Sequence, residues 1–419
     1  MPNNPRPALD RPAPDRPALG HPALLRDAVV ETLATLVRVP SVNPSLDASG
    51  TGEADIAEAI RAWCDARGIR AWLEAGLPGR PNAVAEIGPG DGPTLVLCAH
   101  TDTVSAAGMD ISPFEPRVEG NRLYGRGAYD MKCGAAAILC ALAALRDTLP
   151  RGRVLAAFVA DEEYASAGAF DFVKRHTADA CILTEPSALE PITAHKGFVW
   201  ARLTMHGTAA HGSRWELGVS AIGRMGRVIA ALERFDADVL RARTHPLLGP
   251  ASMHCTLVRG GDGPSTYASS CTLELERRTL PGENAEGVLE ELHEIVRQAA
   301  EEADIELLLE REPLETSADA PVATCLAAAL EAETGVARAP GGVAYWMDAA
   351  VFAGAGIPAV NLGPDGAGAH AAVEWADIDS TVTCARVLAR AALQFCAEKG
   401  GRKAGGGKQA GKGAGHPDD

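Results

Sequence analysis

Four short apolar runs along this 419-residue sequence each end in side chains that hold divalent cations. LVLCAHTD runs from Leu95 into His100 and Asp102. VLAAFVADEE runs from Val154 into Glu162 and Glu163, ACILTEP from Ala180 into Glu185, and AVNLGPDGAGAH from Ala359 into His370. Asp130 lies apart from these, in the glycine-bounded loop GRGAYDMKCG. Imidazole and carboxylate donors without thiolates suit zinc, cobalt or manganese in a catalytic site. Two such ions sharing one carboxylate would lie about 3.5–4 Å apart and clamp a hydroxide between them.

Each residue taken singly has a plain structural reading. His100 is then a satisfied core histidine, Asp130 a carboxylate meeting backbone N–H groups at a helix start, and Glu162–Glu163 a polar strand end. Taken together they resist that reading, because two neighbouring carboxylates at the mouth of a buried sheet repel, and a cation relieves the repulsion. Asp102 lies two residues beyond His100, hence on the same strand face. Its carboxylate is expected to accept the second ring N–H of His100, as partners of metal-bound histidines usually do.

The elements that must position these residues follow from the same runs. Continuous apolar stretches of this length fit strands buried on both faces, as in a parallel sheet flanked by helices. In such sheets ligands collect beyond the carboxyl ends of the strands. Residues 195–314 read differently, as strand (Phe198 to His206), helix (Val219 to Phe235), strand (Met253 to Arg259), strand (Cys271 to Leu280), helix (Ala285 to Ala303) and strand (Ile305 to Glu310). That order, βαββαβ, is ferredoxin-like. The expected fold is therefore α/β: a discontinuous catalytic domain (residues 23–194 and 315–398) with a mostly parallel sheet flanked by helices. It carries an inserted ferredoxin-like α+β domain (residues 195–314). The Pro-rich residues 1–22 and the Gly/Lys tail 399–419 are expected to be disordered.

Composition bounds the partners. A net charge of −16 argues against nucleic acid, whose binders carry a basic face. The longest apolar run, Gly134 to Leu145, is too short to span a bilayer. The first two dozen residues lack the apolar core of a secretory signal. Ten scattered cysteines form no CxxC pair and suit a reducing compartment. A cytoplasmic protein that engages no membrane is the expectation.

The segments AHTDTV, YGRGAYDMKCG, ADEEYASAGA, LTEPS, AAHGS, ERRTLPGE and GPDGAGAH, spread from residue 98 to 370, resemble one family as a set. It is the dizinc metallopeptidase and amidohydrolase family of acetylornithine deacetylase, succinyl-diaminopimelate desuccinylase, aminoacylase and glutamate carboxypeptidase. The resemblance implies two divalent metal ions, zinc first and cobalt or manganese as alternatives. It implies that Asp130 bridges them, that His100 and Glu185 hold one, and that Glu163 and His370 hold the other. Glu162 is then the spare carboxylate and the general base.

By the same resemblance, His211 reaches the active site of a partner subunit and stabilises the oxyanion, in a homodimer formed through the inserted domain. Arg278 binds a substrate carboxylate, with the neighbouring Arg277 as the alternative. Gly363 and Glu374 line the pocket. The chain departs from the family in GGDGPSTYASSC, where Ser265, Thr266 and Tyr267 stand in place of a usual asparagine, and Ala268 in place of a usual proline. The substrate contacts near this segment are therefore the least determined. The expected activity is removal of an N-acyl group from an amino acid. The alternatives are a dipeptidase or carboxypeptidase with the same metal site, and a catalytically silent metal-binding protein.

Overall fold

The computed structural model describes residues 16–397. The strand Thr94–His100 is the centre of the molecule, with every residue buried. Its side chains alternate between two cores, as strand geometry requires. Leu95, Leu97 and Ala99 face the helices Cys133–Leu145 and Ile378–Ala397. Val96 and Cys98 face Phe172 and Phe352 of the helices Ala167–Arg175 and Ala349–Gly354. Burial on both faces explains why this strand carries no polar residue between Thr94 and His100.

Parallel partners flank that strand, Arg153–Val159 on one side and Ala180–Leu183 on the other, and Ala180–Leu183 pairs in parallel with Ala359–Asn361. The expected parallel sheet is this four-stranded centre. Antiparallel strands extend it at both margins: Arg80–Ile87 and Arg70–Leu77 beyond Arg153–Val159, and Ile192–His195 and Leu314–Glu315 beyond Ala359–Asn361. The apolar stretch Ala128–Leu145 is 83% buried inside the fold, which marks it as a core helix.

A separate four-stranded antiparallel sheet has the order Ser252–Gly260, Ser270–Thr279, Gly197–His206, Ala303–Arg311. Together with the helices Ala221–Asp238 and Ala285–Gln298 it makes the βαββαβ arrangement. Ser220 and Asn284 cap these two helices, each side chain accepting the N–H of a residue three further on. This unit has its own core, in which Val199, Leu203, Leu273 and Leu275 pack on Met225, Leu232, Leu292 and Ile295. The second helix stops at Gln298, short of the expected Ala303, where Ala300 takes a left-handed backbone conformation.

Two features escape the sequence pattern. Residues 16–22, expected to be disordered, form the short helix Arg16–Leu19 and a turn capped by His21, because Ala18 and Leu24 find places in the main core. The remaining expectations of disorder, at residues 1–15 and 399–419, lie outside the described residues. A small sheet of the strands Arg117–Glu119, Arg122–Tyr124, Trp375–Asp377 and Gly366–Ala367 brings the His370 loop beside the Asp130 loop.

Candidate active site

The carboxyl ends of the parallel strands bring all six predicted residues together. The donor atoms of His100, Asp130 and Glu163 lie within 4.8 Å of one another, and so do those of His100, Glu162 and Glu185. His100 terminates its strand and is 2% exposed. Its Nε2 stands 3.3 Å from Asp130 Oδ1 and 3.6 Å from Glu185 Oε1. His370, at the left-handed φ of 61°, places its Nε2 3.2 Å from Asp130 Oδ2 and 3.1 Å from Glu163 Oε2. Each oxygen of Asp130 thus faces a different histidine. The Asp130–Met131 peptide bond is cis.

The Asp130 loop is held by Glu374, which is 1% exposed and does not line an open pocket as expected. Its carboxylate accepts the backbone N–H groups of Gly127, Tyr129 and Asp130, each at 3.0 Å, and pairs with Arg126 at 2.7 Å. Glu374 therefore replaces the missing backbone partners of a loop that cannot pair as a strand.

Asp102 departs from its expected contact. The Nδ1 of His100 meets the Asp102 backbone carbonyl at 3.0 Å, whereas the carboxylate is 3.5 Å away. The carboxylate instead accepts the N–H groups of Glu162 and Glu163, both at 3.1 Å, and the Asn43 amide at 2.8 Å. The physical reason is competition: two backbone donors at a buried turn have no other acceptor, and burial makes an unmet donor costly. Asp102 thus fixes His100 through its main chain and the acid pair through its side chain.

Electrostatics in the cluster disfavour ionising all of its carboxylates together. Burial, with Glu185 adding like charge, holds the Glu162 carboxyl well above its ordinary range. Burial likewise pushes Glu185 up to about 8, opposed by His100 and reinforced by Asp130. Burial opposes ionisation of Asp130 too, but hydrogen bonds from His100 and His370 outweigh it and hold that carboxyl low. His370 is raised to about 10 by its bonds to Asp130 and Glu163. A further buried carboxyl that the sequence did not flag, Asp348, precedes the helix Ala349–Gly354 and adds like charge near Glu162 and Glu185. Glu163 Oε1 is buried with no hydrogen-bond partner among the described residues. An orphan acceptor in a crowd of oxygen and imidazole donors is what a hard or borderline divalent cation satisfies.

Outside the cluster, the three remaining expectations separate. His211 stands on an exposed loop of the inserted unit, its ring Nδ1 2.8 Å from the Ser213 hydroxyl, and it does not join the cluster within this chain. The segment Ser265–Tyr267, where the chain departs from the family pattern, packs against that loop. Ser265 accepts the Gly212 N–H, and Tyr267 donates to Ala210. Arg277 is 1% exposed and paired with Glu283 at 2.5 Å, so it is spent on the fold. Arg278, on the opposite strand face, has a side chain 31% exposed over the Phe198 ring and is the accessible one. Gly363 is enclosed, and a side chain there would overlap the Glu185 carbonyl, so its glycine lets the Glu185 and His370 loops meet.

Residues 96–394 match the model of peptidase family M20/M25/M40. The chain belongs to that family. It is a hydrolase of amide bonds, and the His/Asp/Glu cluster is its candidate metal site. The acetylornithine deacetylase of Vibrio cholerae serotype O1 is 27% identical over 379 residues, 88% of this chain and 98% of that one. Aminopeptidase PepT from Bacillus cereus shares the fold with a TM-score of 0.75 at 20% identity, covering 90% of this chain and all of that one. The Bacillus subtilis YXEP protein, described as a dinuclear metal-binding peptidase of family M20, superposes with a TM-score of 0.67 at 17% identity, over 88% and 98% of the two chains. Both solved structures carry the same α/β fold.

Proposed function

We propose that this family member removes the N-acyl group from an amino acid at a site for two divalent cations. The observation that carries the reading is Asp130, whose two carboxylate oxygens each face a different histidine within 3.3 Å. His100 and Glu185 would hold one ion, Glu163 and His370 the other, and Asp130 would bridge. Zinc is the first choice, with cobalt or manganese as alternatives. Ions bound there supply a water of lowered pKa and a polarised substrate carbonyl.

The chain's own residues do the rest. Glu162 is the carboxylate left over when five ligands are assigned, and it stands within reach of the His100 and Glu185 donors. It takes the proton of the attacking water and delivers it to the leaving amine nitrogen. The burial of His100 and Glu185 excludes competing water from the inner side of the cluster and strengthens the charge interactions there, whereas His370 stands exposed at its mouth. Arg278 would bind the free carboxylate of the substrate. His211, whose side chain bonds to Ser213 on its own loop, would serve the site of a second copy. The exposed edge strand Ser252–Gly260, with Leu257 47% and Val258 59% exposed, supports pairing of two inserted units. Among the described residues no two cysteines are joined by a disulfide, which supports a reducing, cytoplasmic setting.

The acyl-amino-acid reading is supported by the deacetylase match over nearly the whole chain. The second reading, hydrolysis of short peptides, is supported by the family's own description. The two are separated by a panel of N-acetyl, N-formyl, N-succinyl and N-carbamoyl amino acids and dipeptides, each run with zinc, cobalt or manganese. The proposal expects the highest kcat/KM on an N-acyl amino acid. A higher value on dipeptides selects the peptidase reading, and no hydrolysis of any member by metal-loaded protein refutes both.

A further inference from the structure

The residue before the acid pair is held in a conformation that its type rarely adopts. Asp161 has φ 71°, the left-handed region that non-glycine residues visit only when their surroundings over-determine it. Those surroundings come from two distant segments. The Asp161 N–H donates to Glu53 Oε1 at 3.1 Å, and its Oδ1 accepts Arg80 Nη2 at 2.9 Å. Arg80 grips both Glu53 oxygens side-on through Nε and Nη2, at 2.6 Å each. The side chains of Glu53, Asp161 and Arg80 are 0%, 3% and 13% exposed. The Asp161 carbonyl accepts the N–H of Ala165 at 3.0 Å and of Ser166 at 2.6 Å, which closes the turn beyond the acids.

A second set of bonds ties this triad to the reacting end of the site. Asn43 Nδ2 donates both to Asp161 Oδ1 at 3.1 Å and to Asp102 Oδ2 at 2.8 Å. The Asp102 carboxylate receives the N–H groups of Glu162 and Glu163. The backbone of the acid pair is therefore braced from two sides, by Asp102 directly and by Glu53–Arg80 through Asp161. Arg80 is the cation that offsets the burial of Glu53 and Asp161, since an unpaired buried charge is costly.

We propose that Glu53, Arg80 and Asp161 form a positioning unit that aims Glu162 at the reacting centre, with Arg80 as its keystone. This rests on the reading of Glu162 as the general base. None of the three touches substrate. Their role is to set the direction of the carboxylate that does, and misplacement of a catalytic group by about 1 Å costs on the order of 10²-fold in rate.

The test uses full-length, metal-loaded protein carrying Arg80→Ala, alone and combined with Glu162→Ala. Arg80→Ala should lower kcat by about 10- to 100-fold, with KM and bound metal per chain unchanged. Amide exchange at Glu162 and Glu163 should quicken. In the Glu162→Ala background the same substitution should cause no further loss, because its effect passes through that carboxylate. Glu53→Gln, which keeps size and one acceptor oxygen, should reproduce the same pattern in weaker form and carries the test if Arg80→Ala does not fold. A folded Arg80→Ala protein with normal kcat overturns the proposal, and so does a loss that adds in full to Glu162→Ala. A near-normal rate for Glu162→Ala alone overturns the base assignment, and the positioning proposal with it.

Discussion

The carboxyl end of the central sheet and the inserted four-stranded unit hold their functional side chains in opposite ways. At the sheet end, His100 and Glu185 are almost wholly buried, and the loops bearing Asp130, Glu162 and Glu163 are braced by Glu374 and Asp102. On the inserted unit, His211 is exposed with Ser213 as its side-chain partner, and Arg278 leans on Glu276 and the Phe198 ring. The bond-breaking groups are thus rigid within one chain. The groups assigned to substrate stabilisation and recognition sit on a surface that needs a substrate or a second copy to complete it. Chemistry of this kind depends on preorganisation at the first place, whereas specificity can be adjusted at the second without disturbing the metals.

The largest expected effect breaks the rigid side. Glu162→Ala should retain its metals yet lose about 10²–10⁴-fold in kcat, read by elemental analysis beside turnover; a near-normal rate refutes the base. His211→Ala comes next, with a loss of about 10²–10³-fold in kcat and normal metal content. Mixing it with Glu162→Ala should restore part of the activity, because one hybrid site then has both groups. No rescue in confirmed mixed dimers places His211 within its own site.

Arg278 and Arg277 sharpen the comparison on a single strand. Arg278→Ala should raise KM about 10- to 100-fold, the range of a lost charge-assisted contact, with little change in melting temperature. Arg277→Ala should do the reverse, removing about 2 kcal/mol of stability by deleting a buried charge-assisted pairing and leaving Glu283 with Arg243, at 3.3 Å, as its guanidinium partner, while the folded fraction keeps its KM. Identical behaviour of the two variants contradicts the division between faces.

The smallest effect concerns metal-stripped protein. His370 is raised from 6.5 to about 10, and Glu185 from 4.5 to about 8. The stability contributed by a raised histidine is full below its unfolded value and lost as pH rises through the folded one. A raised carboxyl is neutral in the folded state and ionised in the unfolded state between its two values, so rising pH costs stability there as well. Thermal denaturation of stripped protein should therefore move to lower temperature between about pH 5 and pH 9. Divalent ions should flatten that slope, and a stripped protein that gains stability over this range contradicts the charge assignment.

Much of this was legible because buried parallel strands leave a plain signature. Runs such as Leu95–His100 carry no polar residue until the strand leaves the sheet, so the donors announce themselves. The βαββαβ unit was visible for a related reason, since its strands alternate and its helices repeat at 3.6. What stayed hidden was long-range and polar. Glu53 and Arg80 look like surface charges in sequence, and only the fold brings them to Asp161. Glu374 lies beside a four-strand corner whose elements are two or three residues long, too short for any period to show. The choice between Arg277 and Arg278 needed the strand's register against helix Ala285–Gln298, which local pattern does not fix.

Metal titration tests most directly whether two metal ions gather around Asp130. Protein stripped by chelation should be inactive and should regain amidase activity on adding zinc, cobalt or manganese, reaching a plateau at about two ions per chain. With Asp130→Ala, no more than weak binding and no recovery are expected. Full activity in stripped protein, or a plateau at one ion that Asp130→Ala leaves unchanged, would contradict that site.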